Sequence, residues 1–170
     1  GYTISNFDGK GRGTVPMQEI LSQSLNTGAA YIAGQIGGKR FGDYFKKLHF
    51  GSETGIDLPN EAHGLISNLD SSRAVEYATA AFGQGIAMTP IGTARALGVL
   101  ANGGVLVTPH VGKKIIYTDG AEKDISFPND ARVYSEKSTE DVTRMLVRVV
   151  DTALRGGIYK MDHYSIAAKT

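Results

Sequence analysis

Three glycine pairs limit how far helices can run in this chain. Gly37-Gly38, Gly103-Gly104 and Gly156-Gly157 each follow a run with apolar residues at helical spacing, and glycine ends helices because it enters the left-handed region without steric strain. The run before the first pair starts at Thr27 and is small and tightly packable, through Ala29, Ala30, Ile32, Ala33 and Ile36. The run before the second opens on Thr89-Pro90, a cap followed by a proline in the first turn, and offers Ile91, Ala94, Leu97, Gly98 and Ala101 as its buried face. The third is the most regular. Ser138 and Asp141 resemble a capping box, and Val142, Met145, Leu146, Val149, Val150 and Ala153 form its apolar stripe.

Other segments fill in around these. Thr14 offers a cap for a short helix with Pro16 in its first turn and an apolar face of Val15, Met17, Ile20 and Leu21, ending at Ser22-Gln23-Ser24-Leu25-Asn26. Phe41, Tyr44, Phe45 and Leu48 continue at helical spacing as a core stripe. Residues 1–13 show no periodicity and read as a surface loop, while residues 51–68 read as an extended connection punctuated by Gly51, Gly55, Pro59 and Gly64. Ser72 is placed to cap a short helix over residues 73–81. Strands are predicted at Val105-Leu106-Val107 and over residues 113–117, with a turn at Asp119-Gly120, and a last strand over residues 164–170 carries Lys169 and Thr170 out at its end. The whole is one domain over residues 1–170: a loop (1–13), a mainly helical region (14–104), and a region of strands, a long helix and the terminal strand (105–170). The fold class is α/β of the α+β type, an antiparallel sheet with a helical cluster beside it.

Several functions find no support. With a formal net charge of +1 there is no electrostatic reason to propose nucleic acid as a partner. The absence of cysteine excludes disulfides and thiolate metal sites, and His49, His63, His110 and His163 are scattered without ligand spacing. No apolar stretch approaches the roughly 20 residues that span a bilayer. Gly83-Gln84-Gly85 lacks the third glycine of a dinucleotide fingerprint and reads as close backbone packing. Asp57 and Glu61 read as structural hydrogen-bonding residues. What remains is the pair Ser24 and Asn26 at a helix break: either a helix cap, or a hydroxyl that relays a proton beside an amide that grips a peptide-like ligand.

The motifs in order decide between these. Ser24-Leu25-Asn26 resembles the second signature of the penicillin-binding transpeptidases, and Lys169-Thr170 the first two residues of the third, Lys-Thr-Gly. Between them stand Ser24-Leu25-Asn26-Thr27-Gly28-Ala29, Thr54-Gly55-Ile56-Asp57-Leu58-Pro59 with Glu61 and Gly64, Gly83-Gln84-Gly85 with Thr89-Pro90, and Ala101-Asn102-Gly103-Gly104. The sequence thus resembles the transpeptidase domain of class B penicillin-binding proteins, and with it the partial fold of that domain and of the serine β-lactamases.

The resemblance implies peptidoglycan D,D-transpeptidation by serine acyl transfer, with Ser24 in a proton relay, Asn26 bonding the substrate amide, Lys169 supplying positive potential, and the Thr170 hydroxyl holding the substrate carboxylate. No cofactor or metal is implied. The implied partners are D-alanyl-D-alanine stem peptides, β-lactams, and a cell-wall glycosyltransferase or other proteins of the division or elongation machinery. The implied location is outside the cytoplasmic membrane, held by an N-terminal anchor. The family's nucleophile belongs to a Ser-x-x-Lys motif that these residues do not contain, so the expectation is a fragment that starts after its nucleophile and is inactive alone. A penicillin-sensing receptor, a silent cell-wall scaffold and a D,D-carboxypeptidase are the alternatives.

Overall fold

The computed structural model describes residues 2–127 and 131–170. Gly1, at the head of the predicted loop, and residues 128–130, within the region read as strands, lie outside the described residues. The order of elements is α1 (Met17–Ser22), α2 (Asn26–Ile36), α3 (Gly38–Lys47), α4 (Ala74–Ala80), α5 (Pro90–Ala101), β1 (Val105–Leu106), β2 (Lys114–Ile116), β3 (Glu122–Asp124), β4 (Ala131–Arg132) and α6 (Glu136–Arg148). Single 3₁₀ turns occupy Ser67–Asp70 and Leu154–Gly157, and α6 runs into a π-helical turn at Val149–Ala153. The class is α+β. The described strands form two separate antiparallel ladders, one pairing Val105 with Arg132 and Leu106 with Ala131, the other pairing Ile115 with Lys123 about the Asp119-Gly120 turn. Among the described residues no helix is long and apolar enough to cross a membrane.

Helix ends follow backbone chemistry more closely than side-chain pattern. The Thr89 hydroxyl accepts from the Gly92 N–H at 3.1 Å, as its Thr-Pro start predicts. Thr14 caps nothing: α1 starts at Met17 with Pro16 extended at the cap position, because proline holds the residue before it out of the helical region. Ser72 is no cap either, since Arg73 holds that position and its N–H bonds to the Ser71 hydroxyl at 3.1 Å. The cap of α6 is Ser135, whose hydroxyl accepts from the Ser138 N–H at 3.2 Å. Ser138 is therefore the third helical residue, because Glu136 and Lys137 already adopt helical geometry.

Two packed regions carry the fold. In one, Ile66, Leu69 and Ala80 are covered by Phe41, Phe45, Phe50, Tyr77 and Ile86, with ring centroids of Phe41 and Phe45 4.9 Å apart, so the aromatic stripe is core. In the other, α5 meets β1 and α6, burying Val99, Leu106, Thr139, Val149 and Val150. The predicted buried face of α5 is wrong: Ala94, Leu97 and Ala101 are exposed, and Val99 is fully buried. That helix is apolar nearly all round, so its period does not single out one face. The last predicted strand is also absent; residues 164–170 form no ladder with any described strand, and extended chain without a partner strand is coil.

The glycine-punctuated connection is held by carboxylates. Glu61 Oε1 accepts from the Thr54 N–H and hydroxyl, both at 2.7 Å, and Oε2 from the Gly55 N–H at 3.1 Å. Asp57 reaches across the chain to accept from the Val111 and Gly112 N–H groups, each at 2.7 Å. A side chain on Gly112 would stand 2.8 Å from that carboxylate. Leu65 and Ala87 then exchange backbone bonds of 2.8 and 2.9 Å, which tie the connection to the segment before α5. Both acids are structural, as their sequence context indicates.

Burial raises the Glu61 pKa, but the bonds from Thr54, Gly55 and Ile56 outweigh it and the net direction is downward. The folded carboxyl thus binds fewer protons than the unfolded one, whose pKa is about 4.3. Its stabilisation is present above that value and is lost as pH falls through the lowered folded pKa. Urea unfolding followed from about pH 7 to about pH 3 is expected to show the native chain more stable than Glu61→Gln at the upper end, with the gap closing toward the lower end; a gap independent of pH would contradict this assignment.

Candidate active site

The turn between α1 and α2 is a helix ending with serine in the place glycine usually takes. Ser24 has a φ of 52°, its N–H donates to the Leu21 carbonyl at 3.2 Å, and the Leu25 N–H donates to the Ile20 carbonyl at 3.0 Å. These are the two paired bonds of a Schellman ending. Leu25, which follows the left-handed residue, is 4% exposed, so burial of its side chain pulls the turn inward. A left-handed residue with a Cβ costs about 1–2 kcal/mol, and such strain recurs at functional sites.

α2 begins at once, at Asn26, with no cap from Leu25. The acceptor comes from the predicted surface loop. Asn6, 5% exposed, accepts from the Thr27 N–H and hydroxyl, both at 3.1 Å, and Asn26 Nδ2 donates to the Ser5 carbonyl at 3.2 Å. Residues 2–13 contain no helix or strand, and within them only Asn6 is buried. A side chain on Gly28 would lie 2.8 Å from Ile20, which explains a residue without Cβ where α2 crosses α1.

All four predicted site residues come together. Ser24, Asn26, Lys169 and Thr170 line one cavity of about 310 Å³, with Ala81 and Phe82 on its wall. Lys169 Nζ donates to Ser24 Oγ at 2.7 Å and also to the Thr170 carbonyl. The Ser24 hydroxyl is 3.3 Å from that same carbonyl, which accepts its proton. Burial lowers the Lys169 pKa from the ordinary lysine value. An ammonium that is partly desolvated and bonded to a hydroxyl can stabilise negative charge on that oxygen or attract a ligand carboxylate. The hydroxyl can in turn accept one proton while donating another. Among the described residues no three His, Asp or Glu side chains gather as metal ligands.

Sequence reasoning missed Ser5, whose carbonyl holds Asn26, Asn6, which holds Thr27, and Phe82, which walls the cavity. Phe82 directly precedes Gly83-Gln84-Gly85, a cue that was available. Asn6 sits in an aperiodic loop, where nothing local distinguishes a capping asparagine from a solvated one.

The fold and this site define a class, that of the penicillin-binding transpeptidases. The penicillin-binding protein 3 structure from Mycobacterium tuberculosis, complexed with aztreonam, superposes with a TM-score of 0.75 at 30% identity, covering 79% of this chain and 30% of that one. The chain belongs to the penicillin binding protein transpeptidase domain family, which matches residues 1–170. It is 32% identical over 162 residues to stage V sporulation protein D of Bacillus subtilis, covering 94% of this chain and 25% of that protein. It is 30% identical over 174 aligned residues to peptidoglycan D,D-transpeptidase MrdA of Acinetobacter baumannii, again 94% of this chain and 25% of the relative. The chain thus spans about a quarter of the length of these curated relatives.

The left-handed serine predicts a stability order. Ser24→Gly removes the Cβ strain and Ser24→Ala keeps it, so the glycine variant is expected to exceed the alanine variant by about 1 kcal/mol in chemical unfolding. Equal stabilities would show that residue 24 leaves the left-handed region without cost.

Proposed function

We propose that this chain forms the Ser-x-Asn and Lys-Thr wall of the active site of a serine-type peptidoglycan D,D-transpeptidase that is also acylated by β-lactams. The observation that carries the reading is the 2.7 Å bond from Lys169 Nζ to Ser24 Oγ, made across 145 residues of sequence and within one cavity with Asn26 and Thr170. The nucleophilic serine and its lysine belong, on this reading, to a Ser-x-x-Lys motif of the parent protein outside these residues. The parent works outside the cytoplasmic membrane, anchored by an N-terminal segment, alongside the glycosyltransferases and other proteins of the division or elongation machinery.

The nucleophilic serine oxygen attacks the carbonyl carbon of the penultimate D-alanine, and the C–N bond to the terminal D-alanine breaks. The serine proton passes through the Ser24 hydroxyl to the leaving amine, giving free D-alanine and an acyl-enzyme. An amine of a second stem peptide then attacks the ester, its proton returns along the same path to the serine oxygen, and the cross-link is released. Asn26 holds the substrate amide, while Lys169 and the Thr170 hydroxyl hold the terminal carboxylate that a β-lactam also carries. Desolvation of Lys169 strengthens that attraction, because less water screens it.

Labelling with a fluorescent penicillin tests this in the full-length parent and the isolated 170 residues side by side. The parent is expected to label, and the isolated chain, which on this reading has no serine to accept the acyl group, to take no covalent label. Ser24→Ala in the parent should slow acylation by about 10²–10⁴-fold. Because the protonated Lys169 is the working form and its pKa is lowered, the alkaline limb of the rate profile should lie below the ordinary lysine value of 10.5. Lys169→Arg should remove that limb while lowering the plateau. An unlabelled parent, or a Ser24→Ala variant that labels at the native rate, would overturn the reading.

A further inference from the structure

We infer that Asn6 is a positioning residue for acyl transfer, acting through Asn26; the inference rests on the transpeptidase reading and extends it to a loop outside the three family signatures. Every polar atom of the Asn6 side chain is committed. Its Oδ1 takes the two Thr27 donors at 3.1 Å, and its Nδ2 donates to the Lys10 carbonyl at 2.8 Å. Its own carbonyl accepts from the Gly9 N–H at 2.9 Å, which closes the loop on itself. A buried amide with both polar atoms bonded is held in its rotamer, because leaving either of them unpaired costs a desolvation penalty.

That rigidity is passed to Asn26 by the neighbouring backbone. Ser5 presents a carbonyl, which only accepts, so the end of the Asn26 amide facing it at 3.2 Å is the nitrogen. The oxygen and the second N–H of Asn26 are then the atoms left for a ligand, and the side chain lines the cavity. On the other flank of Ser24, Arg12 donates from Nε to Gln23 Oε1 at 2.8 Å and from its guanidinium to Asp8 at 2.6 Å. The loop therefore holds the turn at Gln23 before Ser24 and at Asn26 and Thr27 after it. Asn6 does the second of these tasks, and α2 has no cap of its own to replace it.

A purely structural cap would make Asn6 matter for stability alone. A positioning residue makes it matter for acylation only while Asn26 is present. The test measures the second-order rate of fluorescent-penicillin acylation in the full-length parent for Asn6→Ala, Asn26→Ala and the double variant, with melting temperatures for each. Asn6→Ala is expected to slow acylation by on the order of 10- to 100-fold, the size of effect that a small misplacement of a site group produces. In the Asn26→Ala background the same change should cost no more than about 2-fold, while its melting-temperature loss persists unchanged. Thr27→Val, which removes one of the two donors to Asn6 and leaves the backbone bond, is the milder companion. It is expected to slow acylation about 2- to 5-fold, and not at all once Asn26 is alanine. A penalty of the same size in both backgrounds would overturn the inference while leaving the transpeptidase reading in place. An unlabelled native parent would overturn both.

Discussion

The left-handed conformation of Ser24 is the constraint on which the site depends. A helix that ends in this way reverses direction within two residues, so Ser24 and Asn26 stand at the junction of α1 and α2. Glycine would make the same turn with less strain but would remove the hydroxyl. The serine is tolerated because its surroundings over-determine the turn: two backbone bonds close it, Leu25 is buried beneath it, and Lys169 bonds its side chain. A strain of about 1–2 kcal/mol is small beside the burial of a leucine, worth about 1.5–3 kcal/mol, together with these bonds.

Around that turn the chain uses polar side chains where ladders and helices are sparse. Its described strands are two or three residues long, too short to order the long glycine-rich connections. Asp57 and Glu61 each accept two or more donors from a segment without regular structure, and Asn6, itself in such a segment, accepts two from the first turn of α2. One side chain that satisfies several backbone groups serves the loop as a ladder serves a strand. The same arrangement accounts for the carboxylates of Asp57 and Glu61 in this glycine-punctuated segment. Their oxygens are occupied by backbone N–H groups and, at Glu61, by the Thr54 hydroxyl as well.

What could be read from the sequence divides along this line. Helices with a strong period or a strong boundary were legible: Thr89-Pro90 opens α5, Asn102-Gly103-Gly104 follows it, and the apolar stripe of α6 runs into the buried Val149 and Val150. Ser24, Asn26, Lys169 and Thr170 were legible as a set through the order of family motifs, and they share one cavity. Three serine or threonine caps were misplaced: at Ser72 and Ser138 because a neighbouring hydroxyl, Ser71 or Ser135, takes the backbone donor instead, and at Thr14 because Pro16 delays the helix start. The buried face of α5 failed because apolar residues surround that helix. Asn6 was illegible because its partner, Thr27, is 21 residues away and the loop that carries Asn6 has no period.

The pairing of Lys169 with Ser24 shows why the site needs this much scaffolding. On the proposed function the ligand ends in a carboxylate, and a chain with a formal net charge of +1 offers little long-range field to gather it. Recognition of that carboxylate then falls, on this reading, to the Lys169 ammonium at close range. Such an interaction gains strength only as water is excluded, since the attraction between charges at about 4 Å rises severalfold when the effective dielectric falls from that of water to that near a protein surface. Exclusion of water also lowers the Lys169 pKa and so works against the charge that is needed. The bond to a hydroxyl is a compromise between the two: it accepts one ammonium proton without neutralising the cation, and with a second proton on the Thr170 carbonyl the third is left for a ligand. A carboxylate in place of Ser24 would hold the ammonium more firmly but cancel its field. A turn that fixes a neutral hydroxyl at 2.7 Å from Nζ, strained though it is, keeps the charge available.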